Sequence, residues 1–379
     1  MGEWLSLIKS KGFNNIDQMV VFVLAPTVES KDEHIEYYYD FTQSIAEYTQ
    51  VFRDLGLTWY WRPVNMNTYS IVIDEICTIH QTQKILPVVL NLCDGDEING
   101  TPGISVVKLL SEKNLIYTGA DAFFYDITTS KIPMKIAFDE CRVSSPKWQI
   151  ISNSSSDYEE LFQALGSPVI VKPAVSAGSM GVGVKNVVES PEQLPSLVED
   201  LLNGYRGWNL SADGIIAEAF ITGREFTTLI VGSYDDPENA MVFAPVERVF
   251  HSSLPEKEKF LSFERLWEIY ETEAPMPHGE HFYEYSPAPQ SLVSEIKKVS
   301  WDAYVSNKGK GYTRVDLRMD SKTNKMYVLE VNAQCGLSED ENYTSIGAIL
   351  KYAKFSFTDL VALILKDAIR RYDNQKEHV

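Results

Sequence analysis

The chain has 379 residues, which suits two or three domains with sizeable cores rather than one. Hydrophobic residues make up 44% and aromatic residues 12% of it, which is the composition of a globular protein and not of a disordered or fibrous one. The formal net charge of -19 argues against nonspecific binding to nucleic acid or to an anionic membrane surface, because both repel an acidic protein.

The four cysteines are scattered, without paired or metal-binding spacing. We therefore expect reduced thiols and a cytoplasmic protein. The first residues contain no apolar core of signal-peptide length, and the most apolar run, Met19–Leu24, is only as long as a strand. The sequence thus predicts no membrane-spanning segment.

Strand-like runs alternate with helical patterns along the first third of the chain, which favours an α/β architecture. Met19–Leu24 is predicted to be a buried strand, and the helical spacing of the next segment stops at Gly56. We expect a small parallel-sheet domain over residues 1–126. Its further predicted elements are a helix over Tyr38–Leu55, a strand over Ile85–Leu92, a helix over Ile104–Leu110 and a short strand over Leu115–Tyr117.

Two further units are predicted, over residues 127–212 and 213–379. The central unit contains a helix from Lys131 and the strand Pro168–Lys172. The C-terminal unit is expected to open with a hairpin of the strands Gly214–Phe220 and Glu225–Val231. The long polar and aromatic segment Val249–Pro289 is predicted to be a lid, because long irregular loops in compact domains are usually functional.

The first chemical motif is a strand that ends in Lys172 and runs into the loop AVSAGSMGVGV. Small residues let backbone N–H groups approach phosphate oxygens, and the lysine supplies a positive charge. The motif therefore indicates a polyphosphate site. A plain glycine turn is the alternative, because such turns are common.

The second motif is the stretch IIAEAFITGREFTTLIV, in which Glu218 ends one strand and Glu225 begins the next. Such a turn offers backbone groups to the edge of a purine, one carboxylate to its amino group and another to a ribose hydroxyl. Taken alone, the stretch favours the plainer interpretation, a hairpin with two solvent-facing glutamates.

The third motif lies in two strands that a turn connects, YTRVDL and YVLEVN. The period of two along a strand places Arg314 and Asp316 on one face, and Glu330 and Asn332 likewise. If the strands pair, Asp316, Glu330 and Asn332 form a cluster of oxygen ligands suited to Mg²⁺ beside an arginine that steadies an oxyanion. An exposed amphipathic hairpin is the alternative.

Together and in this order, the three motifs resemble the ATP-grasp superfamily, and most closely the D-alanine–D-alanine ligase family. The resemblance runs from about Pro87 to the C-terminus and is strongest over residues 168–232 and 311–350. It implies an α/β ATP-grasp fold, in which an N-terminal parallel-sheet domain precedes two α+β subdomains that sandwich ATP. By the same resemblance, the nucleotide contacts are Lys131, Lys172, Gly178, Ser179, Gly181, Glu218, Ala219, Ile221 and Glu225.

The resemblance also implies catalytic roles for Lys172, Ser179 and Arg314, and a metal site of Asp316, Glu330 and Asn332. The substrate end departs from the family. The N-terminal Gly-Gly-x-Ser-x-Glu turn is absent, so Glu29 is only a weak substitute for its substrate-binding glutamate. In the loop after the metal asparagine, Gly336 and Ser345 are the matching substrate contacts, and Lys259 is the candidate phosphate-reaching lysine of the lid.

The expected activity is an ATP-dependent ligation of a carboxylate to an amine through an acyl phosphate, with two Mg²⁺ ions or Mn²⁺. The substrates are expected to be amino acids or their conjugates, and the acidic stretch Glu339–Glu341 favours a cationic acceptor. Alternatives are D-alanine–D-alanine ligation itself, a non-amine acceptor, and a non-catalytic ATP-binding regulator. Small molecules are the only expected partners apart from a homodimer copy, which the resemblance alone suggests.

Overall fold

The computed structural model describes residues 2–29, 32–35, 39–151, 157–340 and 342–377. These residues form three β-sheets with helices packed around them. Within the described ranges, every helix is too short or too polar to cross a bilayer.

The elements follow one another as alternating strands and helices, then as a strand-rich C-terminal part. The strands are β1 (Met19–Pro26), β2 (Thr58–Val64), β3 (Leu86–Asn91), β4 (Ile116–Tyr117), β5 (Trp148–Ile151), β6 (Val169–Pro173), β7 (Val187–Val188), β8 (Ile215–Ala219), β9 (Gly223–Ser233), β10 (Asp236–Val242), β11 (Val246–Phe250), β12 (Tyr283–Pro287), β13 (Lys310–Asp320) and β14 (Met326–Ala333). The α-helices are α1 (Gly2–Lys9), α2 (Thr42–Leu55), α3 (Tyr69–Gln83), α4 (Ile104–Glu112), α5 (Ala122–Thr129), α6 (Lys131–Glu140), α7 (Tyr158–Leu165), α8 (Leu194–Asn203), α9 (Phe263–Trp267), α10 (Gln290–Ser306), α11 (Ser345–Ala353) and α12 (Phe357–Glu377).

The N-terminal sheet is parallel, with the strand order β2-β1-β3-β4. The side chains of alternate residues in β1 point to opposite faces of the sheet. Val21 and Val23 pack into the core shared with α12, whereas Phe22 and Leu24 pack into the core beneath α3 and α4. Both faces are covered, which explains why β1 is a continuous apolar run and confirms the predicted parallel sheet.

The central sheet is antiparallel, with the order β5-β8-β6-β7. In it Lys172 lies opposite Ile216, so β8 belongs to this sheet. The predicted hairpin between β8 and β9 is therefore wrong: the chain leaves the central sheet after Ala219 and enters the next sheet at Gly223. We propose that the second domain boundary lies between these two residues rather than at residue 213.

The large sheet has the order β12-β11-β9-β13-β14, with β10 also pairing to β9. The predicted pairing of the last two strands is confirmed, because Arg314 lies opposite Asn332 and Asp316 opposite Glu330. The predicted irregular lid is partly wrong, because its last residues form β12. We use "lid segment" below for residues 251–282, which connect β11 to β12.

The lid segment packs on the glycine-rich loop, residues 174–184. Phe260 stacks edge-on against Phe220, with 5.8 Å between ring centroids. The backbone N–H of Phe263 donates to the carbonyl of Val182 at 2.8 Å, and the indole of Trp267 donates to the carbonyl of Gly178 at 2.9 Å. These contacts close one side of the space between the central and large sheets.

Candidate active site

A cavity of about 740 Å³ lies between the central sheet, the large sheet, the lid segment and the N-terminal unit. Its wall includes all the residues predicted to be functional except Glu29, Gly181 and Lys259. One cavity thus brings together residues that are spread from residue 131 to residue 345 along the sequence.

Two lysines and a glutamate form a buried charge network on the central-sheet side. Glu218 lies 3.1 Å from the ammonium of Lys172 and 3.0 Å from that of Lys135. Burial alone would raise the pKa of Glu218, but the two positive charges outweigh burial and lower it. Burial also lowers the pKa of Lys135, which has no exposed surface, although Glu218 opposes that shift.

Helix α6 positions Lys135 and a further cation of the cavity, Lys131. Its N-terminus is capped by Ser130, whose hydroxyl accepts a bond from the backbone of Ile132. Lys131 and Lys135 are one turn apart and share a face of the helix. Lys131 lies 3.4 Å from Glu330 of β14, so the helix links both sheets across the cavity. Lys135 was not predicted from the sequence, although its spacing from Lys131 is a usable signal.

The glycine-rich loop is held by the lid segment. Gly178 and Ser179 both have positive φ values, of 54° and 60°. The hydroxyl of Ser179 donates to the carbonyl of Leu261 at 3.0 Å. A Cβ on Gly178 would lie 3.0 Å from the ring of Trp267, so glycine permits the close approach of the lid. The loop and the lid therefore form one wall of the cavity.

Two arginines that were not predicted from the sequence lie beside the turn that was predicted to read the nucleotide. Glu225 forms ion pairs with both Arg248 and Arg318. Arg318 also donates to the carbonyl of Ile221 at 3.1 Å and to that of Lys259 at 2.7 Å. Both arginines are buried and line the cavity, and β11 and β13 place them on either side of β9.

The oxygen-rich cluster lies on the polar face of β13 and β14. Arg314 binds Asp316 through two nitrogens, with Nη2 at 2.9 Å from the carboxylate. The amide of Asn332 donates to Asp316 at 3.0 Å, and the hydroxyl of Thr227 donates to it at 2.7 Å. Burial opposes ionisation of Asp316, but the charge of Arg314 outweighs burial and lowers its pKa.

The composition of this cluster fits a hard divalent cation. Asp316 and Glu330 contribute carboxylates and Asn332 an amide oxygen, which are ligand types that Mg²⁺ accepts. Among the described residues there is no group of three or more His, Cys, Asp or Glu side chains arranged to hold a metal. A cation here would therefore depend on the amide oxygen, water and an anionic ligand to complete its coordination, as is usual for Mg²⁺ bound with nucleotides.

The far end of the cavity is formed by the start of α11 and by the N-terminal unit. Thr344 caps α11 by accepting a bond from the backbone of Gly347 at 3.0 Å, and Ser345 follows as a buried first residue of the helix. Asp94 also lines this end and is open to the cavity, whose walls limit its contact with bulk water and raise its pKa to about 6; the charge of Asp96 adds to the shift.

Four predicted positions lie elsewhere. Glu29 is exposed and is not part of the cavity wall. Gly181 turns the glycine-rich loop with a φ of 74° and contacts Leu210 instead. The ammonium of Lys259 pairs with Glu256 at 2.5 Å. In the acidic stretch, Glu339 borders a separate hollow, and residue 341 lies outside the described residues.

Two sheets that face each other across a cavity with these lysines, the turn around Glu218 and Glu225 and an oxygen-rich cluster place the chain in the class of ATP-grasp proteins. The fold agrees with the D-alanine–D-alanine ligase of Bacillus anthracis in complex with ATP, with a TM-score of 0.64 and 18% identity over 94% of this chain and 99% of that one. The chain belongs to the D-alanine–D-alanine ligase family, since the family's sequence model, described as "D-ala D-ala ligase C-terminus", matches residues 142–366.

Individual relatives are distant in sequence. The D-alanine–D-alanine ligase of Lactobacillus johnsonii is 24% identical over 269 residues, which cover 69% of this chain and 66% of that protein. The uncharacterized protein y4sG of Sinorhizobium fredii is 26% identical over 294 residues, which cover 75% of each chain. The chain thus spans about two thirds to three quarters of the length of these relatives.

Proposed function

We propose that the protein is an ATP-dependent ligase that joins a carboxylate to an amine through an acyl phosphate. The observation that carries the proposal is the convergence of Lys131, Lys172, Arg314 and Asp316 in one cavity. Cations on one wall suit a polyphosphate, and an arginine beside carboxylates on the other suits an oxyanion and its counter-ion.

The proposed reaction has two steps. An oxygen of the substrate carboxylate attacks the terminal phosphorus of ATP, the bond to the bridging oxygen breaks, and ADP leaves. The amine then attacks the acyl carbon, loses a proton, and expels phosphate from the tetrahedral intermediate. Lys131 and Lys172 orient the phosphates, and Arg314 stabilises the oxyanion of the intermediate.

The lid segment has a defined part in this scheme. It covers the glycine-rich loop through Phe263 and Trp267 and so shields the cavity from bulk water. Exclusion of water protects the acyl phosphate from hydrolysis. Opening of this contact would admit the nucleotide.

Asp316, Glu330 and Asn332 are the residues that would hold two Mg²⁺ ions, or Mn²⁺ in their place. A bound cation would supply charge neutralisation at the phosphates. We expect the rest of the site to bind and orient substrates without a covalent intermediate on the enzyme.

Amino acids or their conjugates are the proposed substrates. D-alanine–D-alanine ligation is the second candidate, because the relatives and the similar structures carry that name. The acidic stretch that motivated a cationic acceptor gives it little support, since Glu339 borders a separate hollow rather than the cavity.

The test is phosphate release from Mg-ATP against all L- and D-amino acids, singly and in pairs, with mass spectrometry of the products. We expect release that requires two components and yields a condensed mass. Lys172→Ala should abolish turnover, while Lys185→Ala should not, because Lys185 is an exposed lysine of the same unit that pairs with Asp200 at 3.1 Å. Tight ATP binding without turnover on any pair would instead support a regulatory ATP-binding protein, and a condensed product without an amide would indicate a different acceptor.

A further inference from the structure

The lid segment supplies no cation to the cavity in the part of the chain that the structure describes. The positively charged side chains that line the cavity there are Lys131, Lys172, Arg248, Arg314 and Arg318. The lid contributes Phe260, Leu261, Leu266 and Trp267, all without charge. The role expected of Lys259, a positive charge at the terminal phosphate, is therefore left to another residue.

Arg248 is the cation nearest to the lid in sequence, and its surroundings fix it firmly. It lies on β11, two residues before that strand ends, and is only 7% exposed. Its guanidinium pairs with Glu225 and donates to the hydroxyl of Tyr285 at 3.0 Å. The rings of Tyr283 and Tyr285 lie 5.3 and 5.4 Å from it. Such a side chain is held in place before any ligand binds.

The local charge is not balanced. Glu225 provides one negative charge, and it is shared between Arg248 and Arg318. The three residues therefore carry one excess positive charge in a buried position. A buried excess charge is unfavourable unless an opposite charge meets it, so this part of the cavity favours an anionic ligand.

The position of Arg248 indicates which anion that would be. On the large sheet, Arg248 lies opposite Glu225, and Asp316 lies opposite Thr227, two residues further along β9. Asp316 therefore sits diagonally across β9 from Arg248. Glu225, the proposed ribose contact, thus lies on the strand next to Arg248, and Asp316, the proposed cation ligand, lies one strand further on the same face. The phosphates of a bound nucleotide would run across this face between those two contacts, on the side of the sheet that carries the guanidinium of Arg248.

We propose that Arg248 is a further catalytic residue, which contacts the terminal phosphate of ATP in place of a lid lysine. This inference rests on the proposed function, because it presumes that Glu225 and Asp316 mark the two ends of the phosphate chain. Arg318 differs from Arg248 in one respect that makes it a matched control. It holds the carbonyl of Ile221 and so belongs to the nucleoside end.

The experiment measures the binding of Mg-ATP and of Mg-ADP by calorimetry, without any second substrate. Arg248→Met should weaken Mg-ATP roughly 10- to 100-fold, the usual effect of losing one charged hydrogen bond, and leave Mg-ADP within about threefold. Arg318→Met should weaken both nucleotides alike. Arg248→Lys, which keeps the charge, should recover a part of the preference for ATP.

Folding is controlled separately. Circular dichroism and the thermal midpoint are compared for all variants, and Tyr285→Phe provides a milder change that removes only the hydroxyl bonded to Arg248. It should shift the ATP-to-ADP affinity ratio in the same direction as Arg248→Met, by a few-fold.

The outcomes separate the two proposals. If wild-type protein binds neither nucleotide, the proposed function fails, and the role of Arg248 fails with it. If wild type prefers ATP and folded Arg248→Met keeps the same preference, or loses ATP and ADP equally, only the role of Arg248 is overturned. In that case the arginine belongs to the packing around Glu225.

Discussion

The substitution Glu218→Gln tests the buried charge network most directly. Glu218 is the shared partner of Lys135 and Lys172, and its side chain is 2% exposed. Glutamine keeps the shape of the side chain but removes its charge. The two lysines would then lose the carboxylate that they share, and Lys135 has no exposed surface through which water could compensate.

We expect the free energy of unfolding to fall by about 3–5 kcal/mol at pH 7, the usual cost of removing one partner of a buried ion pair. The loss should depend on pH. Burial lowers the pKa of Lys135, and without Glu218 only the charge of Glu330 opposes that shift. A lysine with a lowered pKa in the folded protein destabilises it as pH falls below the pKa of about 10.4 in the unfolded chain. The loss in free energy of unfolding relative to the wild-type protein should therefore be smaller at pH 10 than at pH 7.

Urea unfolding followed by circular dichroism at both pH values measures the effect. Lys135→Met is the control, because Glu218 keeps Lys172 and the change should cost no more than about 1 kcal/mol. The double variant should regain at least about 2 kcal/mol relative to Glu218→Gln, since the two sites are coupled. A deficit below about 1 kcal/mol at pH 7, or one that is equal at both pH values, would refute this reasoning.

Two further changes test the cavity end and the contact between units. Asp94→Asn should stabilise the protein by about 1 kcal/mol at pH 8 and have no effect below pH 4, because a carboxyl with a pKa raised to about 6 destabilises the fold as pH rises. The expected gain is kept small because the side chain is exposed to the cavity. Thermal midpoints measured across this pH range check the prediction, and an equal effect at both pH values would contradict it. Gly311→Ala should destabilise the protein by about 2–4 kcal/mol, since φ is 85° and a Cβ would lie 2.1 Å from the carbonyl oxygen of Gly119. Urea unfolding measures this loss. Gly336→Ala is the control, because a Cβ there meets no neighbour within 4 Å and the free energy of unfolding should change little.

The fold was predictable where hydrophobic patterns are strong. The continuous apolar run at Met19–Leu24 gave β1, because both of its faces are buried. Strand β2 (Thr58–Val64) was missed, since it lies at the sheet edge, is partly exposed and contains Pro63. Helix α3 (Tyr69–Gln83) was missed as well. Of its residues only Val72, Ile73 and Ile76 are buried, and an element that buries few residues has a weaker hydrophobic pattern.

Membership of a sheet was harder to predict than the existence of a strand. The short connection between Ala219 and Gly223 favours a hairpin, because strands with short loops usually pair with each other. Instead β8 pairs with β5 and β6, and β9 pairs with β11 and β13. These partners come from distant segments, and no local signal identifies them.

The same distinction separates the predicted from the missed residues of the site. Arg314, Asp316, Glu330 and Asn332 follow from the period of two along paired strands that are close in sequence. Arg248 belongs to the site only because β11 lies beside β9 in the sheet. Its local sequence, PVERVF, resembles any half-exposed strand.

The ion pairs explain how the site is ordered before substrates arrive. Arg314 is fixed to Asp316 by two nitrogens, Lys131 faces Glu330, and Lys172 faces Glu218. In each pair a carboxylate holds a cation at the wall of the cavity. Groups that are oriented in advance need little reorganisation when charge develops on a substrate, which is the main source of electrostatic catalysis. The pairs that stabilise the folded cavity therefore also orient the cations that the proposed reaction uses.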